Sequence, residues 1–302
     1  MEKLFLEDLH NALLFILSEI HRVCKKHDIK YTLGYGTLIG AVRHKGFIPW
    51  DDDADILMTR KEYEKFISVA DELDPLLEIS LPNESLYGEK LPTVIMKHTT
   101  IQYPDPINKD ISSMINIFVD IMVVDAITPL DRAIFVFFST VKSFQKSKSF
   151  TVSSFLGYFI IPICFLVGIL VSENAIEKLY ANIKSKTLMK SILAFEEKRD
   201  VLGRILSHAI WTTKTVFPIN FYEDVEEVVF ENIKLIIPKE YDKILTQIYG
   251  NYMTPPPDIQ NISVDTWKNR QKSRLGHGFL HFSLESEAKI RVKSFLKEIG
   301  RG

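Results

Sequence analysis

The sequence predicts an α/β or α+β fold, a sheet with helices packed around it. Apolar residues recur at helical spacing over residues 5–27, and short apolar runs read as strands at 29–33, 53–58, 115–124 and 234–237. These segments alternate irregularly, with no internal repeat. The 302 residues are 46% hydrophobic and 25% charged, with 13 glycines and 13 prolines, a balance that excludes a disordered, collagen-like or low-complexity chain. Thirty-seven basic residues against 39 acidic ones give a formal charge of −2, so no nucleic-acid partner held by bulk charge is expected. Cys24 and Cys164 lie far apart and form neither a disulfide framework nor a zinc cluster, so the chain reads as intracellular and reduced.

Residues 5–27 read as the first helix: Leu9, Leu13, Ile16, Ile20 and Val23 share one stripe, while Glu7, His10, Glu19 and Lys26 face elsewhere. Ile29 to Leu33 is a short strand ending in Gly34-Tyr35-Gly36, and Thr37 to Arg43 forms a short helix. Phe47-Ile48-Pro49-Trp50 makes a rigid approach to an acidic cluster, and Asp53 to Met58 is a strand. Thr59-Arg60-Lys61-Glu62 fits a capping box, with a hydroxyl at the N-cap and Glu three positions on. The helix it opens carries Tyr63, Phe66, Ile67 and Ala70 on one face. Residues 115–124 form another strand and 173–200 a charged helical stretch. Lys234 to Ile237 is a strand, and Pro238 to Tyr249 a helix stopped by Gly250. Pro255-Pro256-Pro257 then turns the chain into a basic, aromatic-flanked tail.

Met1 to His10 carries Glu2, Glu7 and Asp8 and shows none of the basic start, apolar stretch and cleavage site of a secretory signal. Between Ser149 and Ser172 there is no charged residue, and Phe155 to Val171 is nearly all apolar, long enough to cross a bilayer. Lys142, Lys146 and Lys148 precede it, the flank expected on a cytoplasmic face. Pro162, with Gly157 and Gly168 around it, suits a re-entrant pair or an apolar hairpin in the interface, and peripheral or re-entrant membrane contact through 149–172 is the leading expectation. A buried core hairpin ranks second and a full span third.

The chemistry concentrates in Tyr31 to Met58. Asp51, Asp52, Asp53 and Asp55 fall within five residues. Strand side chains alternate faces, so Asp53 and Asp55 point the same way, about 7 Å apart. Two such carboxylates repel unless a cation sits between them, and oxygen-only ligands suit Mg²⁺ or Mn²⁺, which also bind substrate phosphates. Ala54, Ile56 and Met58 take the other face and anchor it in a core, and Asp52 is the member most readily exposed. A calcium-type structural loop or a helix cap is the competing reading, but EF-hand spacing is absent. Upstream, Gly34, Gly36 and Thr37 sit between a strand end and a helix start. Small residues there let backbone N–H groups reach phosphate oxygens, and the helix N-terminus adds partial positive charge.

Asp-x-Asp follows that turn after 16 residues, so phosphate and metal sites come from one unit. Arg43, His44 and Lys45 lie between them and can neutralise phosphate charge, or belong to an exposed basic loop. Two-metal phosphoryl transfer needs a third carboxylate. Asp120, a lone charge in Phe118-Val119-Asp120-Ile121-Met122, is the best candidate, against the reading of a strand-end residue or a buried ion-pair partner. Tyr31, Tyr35 and Trp50 either stack on a base and shape an alcohol pocket or belong to the core.

Gly34 to Asp55, GYGTLIGAVRHKGFIPWDDDAD, resembles the signature of the LicD family, the bacterial phosphocholine transferase group related to fukutin and fukutin-related proteins of animals. Phe118-Val119-Asp120-Ile121, with Asp125 after it, resembles the family's second acidic strand. Ile236-Ile237-Pro238-Lys239-Glu240-Tyr241-Asp242, with Leu245 and Tyr249-Gly250-Asn251-Tyr252-Met253, resembles its C-terminal signature. The match covers roughly residues 10–125 and 230–280. Asn251 stands where the family usually has Asp, and Lys268 to Gly278 only loosely resembles the usual basic, His-containing ending, in which Arg274 and His277 are substrate-binding candidates.

The resemblance implies a nucleotidyltransferase-like mixed sheet flanked by helices: a catalytic core over 1–128, an apolar helical insert over 129–200 and a C-terminal part of the same domain over 201–302. It implies transfer of a phospho-alcohol (phosphocholine, or ribitol or glycerol phosphate) from a CDP-alcohol donor to a sugar hydroxyl of a cell-surface glycan or lipid-linked oligosaccharide. In that reading Asp53, Asp55 and Asp120 hold Mg²⁺ or Mn²⁺ on the donor diphosphate. Asp51 or Asp53 stands near the acceptor proton, Gly34, Gly36, Thr37, Arg43 and Lys45 contact phosphate, and Tyr35 and Trp50 contact the rest of the donor. Acceptors of this kind are membrane-borne, which places the enzyme in the cytoplasm at the inner face of a bacterial membrane. Two other functions compete: a nucleotidylyltransferase, which expels pyrophosphate from an NTP, and a non-catalytic membrane-associated glycan-binding protein. The intact Asp53-Ala54-Asp55 pair argues against the latter, since a dead site has no reason to keep repelling carboxylates.

Overall fold

A computed structural model describes residues 6–81, 91–104, 112–127, 166–167, 170–172, 175, 191–195, 217–255 and 281–301. The chain divides into two compact units, Met1–Val123 with Phe221–Gly302, and Val124–Asn220. The first unit opens with α1 (Leu6–Lys26), whose Glu7 and Asp8 at the N-terminus and Lys25 and Lys26 at the C-terminus oppose the helix dipole. Its predicted stripe is buried, and so are Leu14, Phe15 and Leu17 beside it. Each such side chain contributes about 1.5–3 kcal/mol by leaving water. The burial therefore extends well round the helix, and His10 and Glu19, expected to face away, are buried too. Glu19 is satisfied there, accepting the Asp74 N–H at 2.9 Å and pairing with Arg22 at 2.8 Å.

The strands of this unit are β1 (Thr32–Leu33), β2 (Asp55–Thr59), β3 (Leu77–Ser80), β4 (Thr93–Pro104), β5 (Ser112–Ile127, which runs on into the second unit) and β10 (His281–Leu284). They form a sheet in the order β1-β2-β5-β4-β10, with β3 also on β4. β4 changes neighbour halfway: Thr93 to Met96 pairs with β3, and Thr99 to Gln102 with β10. A bulge makes the switch. His98 has φ 58°, and the Thr99 hydroxyl accepts the Ile117 N–H at 2.9 Å while donating to the Met96 carbonyl at 2.5 Å.

The mixed sheet flanked by helices is the expected fold class, with differences in the details. The first strand is only Thr32–Leu33, and the helix after it starts earlier, as α2 (Tyr35–Ile39), continuing into a π-helical turn over Gly40–His44. The strand expected from Asp53 starts at Asp55. Thr59 does cap α3 (Arg60–Ser68), but without a side-chain hydrogen bond. Glu62 does not reach back to close a capping box. It is buried and accepts the Lys30 N–H at 3.0 Å, because tertiary contact offers a better donor than the helix end.

The rest of this unit is a helix turn α4 (Asn220–Glu223, from Phe221 on), a hairpin of β8 (Val225–Phe230) and β9 (Ile233–Pro238), α5 (Tyr241–Tyr249) and α6 (Ser286–Glu298). α5 ends where Gly250 takes φ 71°. In the second unit β6 (Ser191–Phe195) pairs in parallel with β7 (Phe217–Pro218). Within the stretch expected to be helical over 173–200, residues 191–195 are thus a strand: strand pairing overrides the local helical pattern. Among the described residues no helix is long and apolar enough to cross a membrane, and most of 149–172 lies outside them.

The hairpin turn closes on the segment that leads to the acidic run. The Glu231 N–H donates to the Lys45 carbonyl at 2.6 Å, the Glu231 carboxylate accepts the Phe47 N–H at 3.2 Å, and Arg301 pairs with it at 3.0 Å. Phe230 meets the Phe47 ring edge-on, centroids 4.9 Å apart. A Cβ on Gly40 would overlap the backbone carbonyl of Gly46 within this connection. Gly40→Ala is therefore expected to destabilise the protein by about 1–3 kcal/mol, read as a fall in the urea midpoint at unchanged slope. An unchanged midpoint would show that the turn is not tightly packed.

Candidate active site

The site is built where β1 hands over to α2. The Gly34 N–H donates to the Asp55 carbonyl at 3.0 Å, and the Thr37 hydroxyl accepts the Asp55 N–H at 2.9 Å, so both backbone polar groups of Asp55 are held by the glycine turn. A Cβ on Gly36 would stand 2.6 Å from Asp51 Oδ2, so only glycine lets that carboxylate lie against the turn. Beyond α2 the chain reverses at Lys45, φ 60°, buries Phe47 and Ile48, and reaches Asp51, whose N–H donates to the Ile48 carbonyl at 2.9 Å. On the other side of the run, the Asp120 N–H donates to the Ala54 carbonyl at 3.0 Å, which brings the β5 carboxylate beside it.

These constraints crowd the acids. Carboxylate oxygens of Asp51, Asp52 and Asp53 all lie within 4.8 Å of one another, a spacing that fits a metal ion. Burial pushes the Asp55 carboxyl well above the usual carboxylate range, and Asp53, Asp120 and Asp51 push it the same way. Burial also raises Asp51, aided by Asp53 and Asp52, with Arg43 opposing. Asp52, expected to be exposed, is only 3% exposed: the reversal at Lys45 folds the run inward instead of leaving it as a solvated turn.

The remaining predicted residues are distributed around this cluster. Tyr35 is half-buried, and burial and then Asp55 push its phenol up to about 12. Thr37 is buried with its hydroxyl engaged by Asp55. Arg43 donates to the Tyr252 carbonyl at 2.5 Å and to the His44 ring at 2.9 Å, and Asp51 acts on its charge. Lys45 is exposed, and Trp50 stands edge-on to His44 with centroids 5.8 Å apart. Tyr31 is core, fully buried, with its hydroxyl 3.0 Å from His21. Arg274 and His277 lie outside the described residues.

One contributor has no sequence signal. His10, on α1, lies 2.7 Å from the Asp51 carbonyl through Nε2 and stacks on Phe47 at 4.5 Å and 10°. Burial holds its pKa down, so the ring is neutral and its Nε2–H donates to that carbonyl. Forty-one residues separate the partners, and no local pattern links them.

With this geometry in place, comparison with known proteins is direct. The family model described as LicD/FKTN/FKRP, nucleotidyltransferase domain, matches residues 28–81, from just before β1 through β3. The chain is 31% identical over 270 residues to the lipopolysaccharide cholinephosphotransferase LicD of Haemophilus influenzae, covering 85% of this chain and 95% of that one. Uncharacterised proteins of Rickettsia prowazekii and Rickettsia typhi are each 49% identical over 45 residues, 15% of this chain and 17% and 15% of theirs. The architecture and these similarities define a phosphotransferase of nucleotidyltransferase type. The chain belongs to the LicD family.

Two outcomes follow from the crowding. A carboxyl raised in the folded state keeps its proton while the unfolded chain releases it, so its contribution to stability is full below about pH 4 and is lost as pH rises above that value. In protein freed of divalent ions, Asp55→Asn is therefore expected to raise Tm relative to wild type by a margin that grows between pH 4 and 7, followed by calorimetry. A margin independent of pH would contradict the crowding. His10→Phe, which keeps the stack and removes the donor, is expected to weaken Mn²⁺ binding about tenfold in a calorimetric titration, and unchanged affinity would remove His10 from the site.

Proposed function

We propose that this LicD-family enzyme transfers phosphocholine from CDP-choline to a sugar hydroxyl of lipopolysaccharide or its lipid-linked precursor, releasing CMP, with Mg²⁺ or Mn²⁺ at the carboxylate cluster. The observation that carries the reading is the cluster of Asp51, Asp52 and Asp53 at a glycine turn, with Asp55 and Asp120 within electrostatic reach, in a chain 31% identical to a lipopolysaccharide cholinephosphotransferase. The donor set is all oxygen, which suits a hard divalent cation. Burial and like charge raise the Asp51 and Asp55 carboxyls, a cost that such an ion would relieve.

Asp53, Asp55 and Asp120 would hold the ion, with Asp51, a carboxylate oxygen of which lies within 4.8 Å of those of Asp52 and Asp53, beside them against Gly36. When bound, the ion supplies positive charge to the donor diphosphate and to the phosphate that leaves. Arg43 and Lys45 add positive charge at the phosphate side, and the turn at Gly34, Gly36 and Thr37 brings backbone close to it. The acceptor hydroxyl oxygen attacks the phosphorus distal to the nucleoside, the bridging P–O bond breaks, and CMP departs with the electron pair. Asp51 or Asp53 would receive the hydroxyl proton. A carboxylate beside a cation is a weak base at neutral pH, so alignment of the two substrates contributes more than proton abstraction. Contact of the 149–172 region with the inner face of the cell membrane would bring the enzyme to its acceptor. The exposure of Leu166 and Leu170 supports such contact.

The test is product analysis with lipopolysaccharide, Mg²⁺ and each of CDP-choline, CDP-ribitol, CDP-glycerol and CTP. CMP is expected from CDP-choline alone, falling at least about 100-fold in Asp53→Asn and abolished by chelation. CMP from another CDP-alcohol would replace the substrate, and pyrophosphate from CTP would replace the reaction with nucleotidylyl transfer.

A further inference from the structure

Two tyrosines belong to the elements beside the acidic cluster: Tyr35, which the sequence marks as a donor contact, and Tyr249, to which it assigns no role. Tyr35 opens α2 at φ 43°, a left-handed conformation that L side chains adopt only where the surroundings impose it. α2 packs against α5, and Tyr249 is the last residue of α5. The chain beyond α5 is pinned three times. The Gly250 N–H donates to the Thr246 carbonyl at 2.8 Å, Arg43 donates to the Tyr252 carbonyl at 2.5 Å, and the Tyr252 hydroxyl donates to Asp242 at 2.7 Å. Tyr249 is thereby fixed next to α2, yet it remains 43% exposed and so takes no full part in the core. The packing of α5 on α2 and the Arg43 bond just beyond it put Tyr249 on the cluster's side of the domain, and burial, followed by Tyr35, Asp55, Asp51 and Asp53, holds its phenol up. Tyr222 is buried within reach of Tyr35.

Resting on the phosphocholine reading, we propose that Tyr249 and Tyr35 form the wall that recognises the quaternary ammonium group of the donor, making them specificity-determining residues. A trimethylammonium group neither donates nor accepts hydrogen bonds, so a protein distinguishes it by aromatic faces and by nearby negative charge. Both are present here. The ammonium of choline lies one ethylene unit from its phosphate, so a wall beside the carboxylates that serve the diphosphate is at the right reach. The carboxylates favour a cationic ligand over an uncharged nucleobase on the same rings. Of the nearby cations Arg43 and Lys45, Arg43 is engaged by the Tyr252 carbonyl and the His44 ring.

The test measures Kd, in Mg²⁺, for CDP-choline and for its neutral isostere in which a tert-butyl group replaces trimethylammonium, with wild type, Tyr249→Phe and Tyr249→Leu. Wild type is expected to prefer the cation, Tyr249→Leu to lose about tenfold of that preference, and Tyr249→Phe to keep most of it because the ring remains. An equal loss for both ligands in Tyr249→Leu would make the ring a base-stacking or structural element and overturn the proposal. A loss in Tyr249→Phe as large as in Tyr249→Leu would assign the effect to the hydroxyl and overturn it as well. If wild type binds neither ligand, the phosphocholine reading fails and the proposal with it. Binding without any change in preference defeats the proposal alone.

Discussion

The mutual repulsion of Asp51, Asp52, Asp53, Asp55 and Asp120 is the constraint on which the rest of the site depends. Acids brought this close and partly withdrawn from water destabilise the fold unless neighbouring structure holds them, and Asp55 and Asp51 register the strain as raised proton affinity. The surrounding architecture answers that problem element by element. The glycine turn holds both backbone groups of Asp55, β5 holds Ala54 through the Asp120 N–H, and α1 holds the Asp51 carbonyl through His10. The hairpin turn at Glu231 grips the approach at Lys45 and Phe47. The cluster is set by contacts from four separate parts of the sequence.

That arrangement has a functional logic. Carboxylates held in place before a cation arrives need no reorganisation to receive it, and such preorganisation contributes more than any single contact. On the proposed function, the stability given up by crowding the carboxylates would be recovered when a cation occupies the site.

Much of this was legible in the chain. The stripe on α1, the glycine turn, the acidic run and the single charge in the apolar strand at Asp120 are local patterns whose periodicity or spacing carries the physics. What escaped is what tertiary contact decides. His10 and Glu19 read as solvent-facing because a one-sided stripe was assumed, whereas burial extends well round α1. Glu62 read as a capping residue, but a distant N–H of Lys30 claims it. Asp52 read as exposed, since nothing in an aspartate triplet says which member the chain folds inward. β3, β4, β8 and β10 were not anticipated at all: β4 changes partner at a bulge, and that pairing is set by strands far off in sequence.

The central claim is that the carboxylate cluster holds a divalent cation against the donor diphosphate. It is tested most directly by ³¹P NMR of CDP-choline with the protein and substoichiometric Mn²⁺. Selective broadening of both phosphorus signals with wild type, restored to sharp lines in Asp55→Asn, is the predicted result. Equal broadening with and without the Asp55 carboxylate would place the ion elsewhere and contradict the claim.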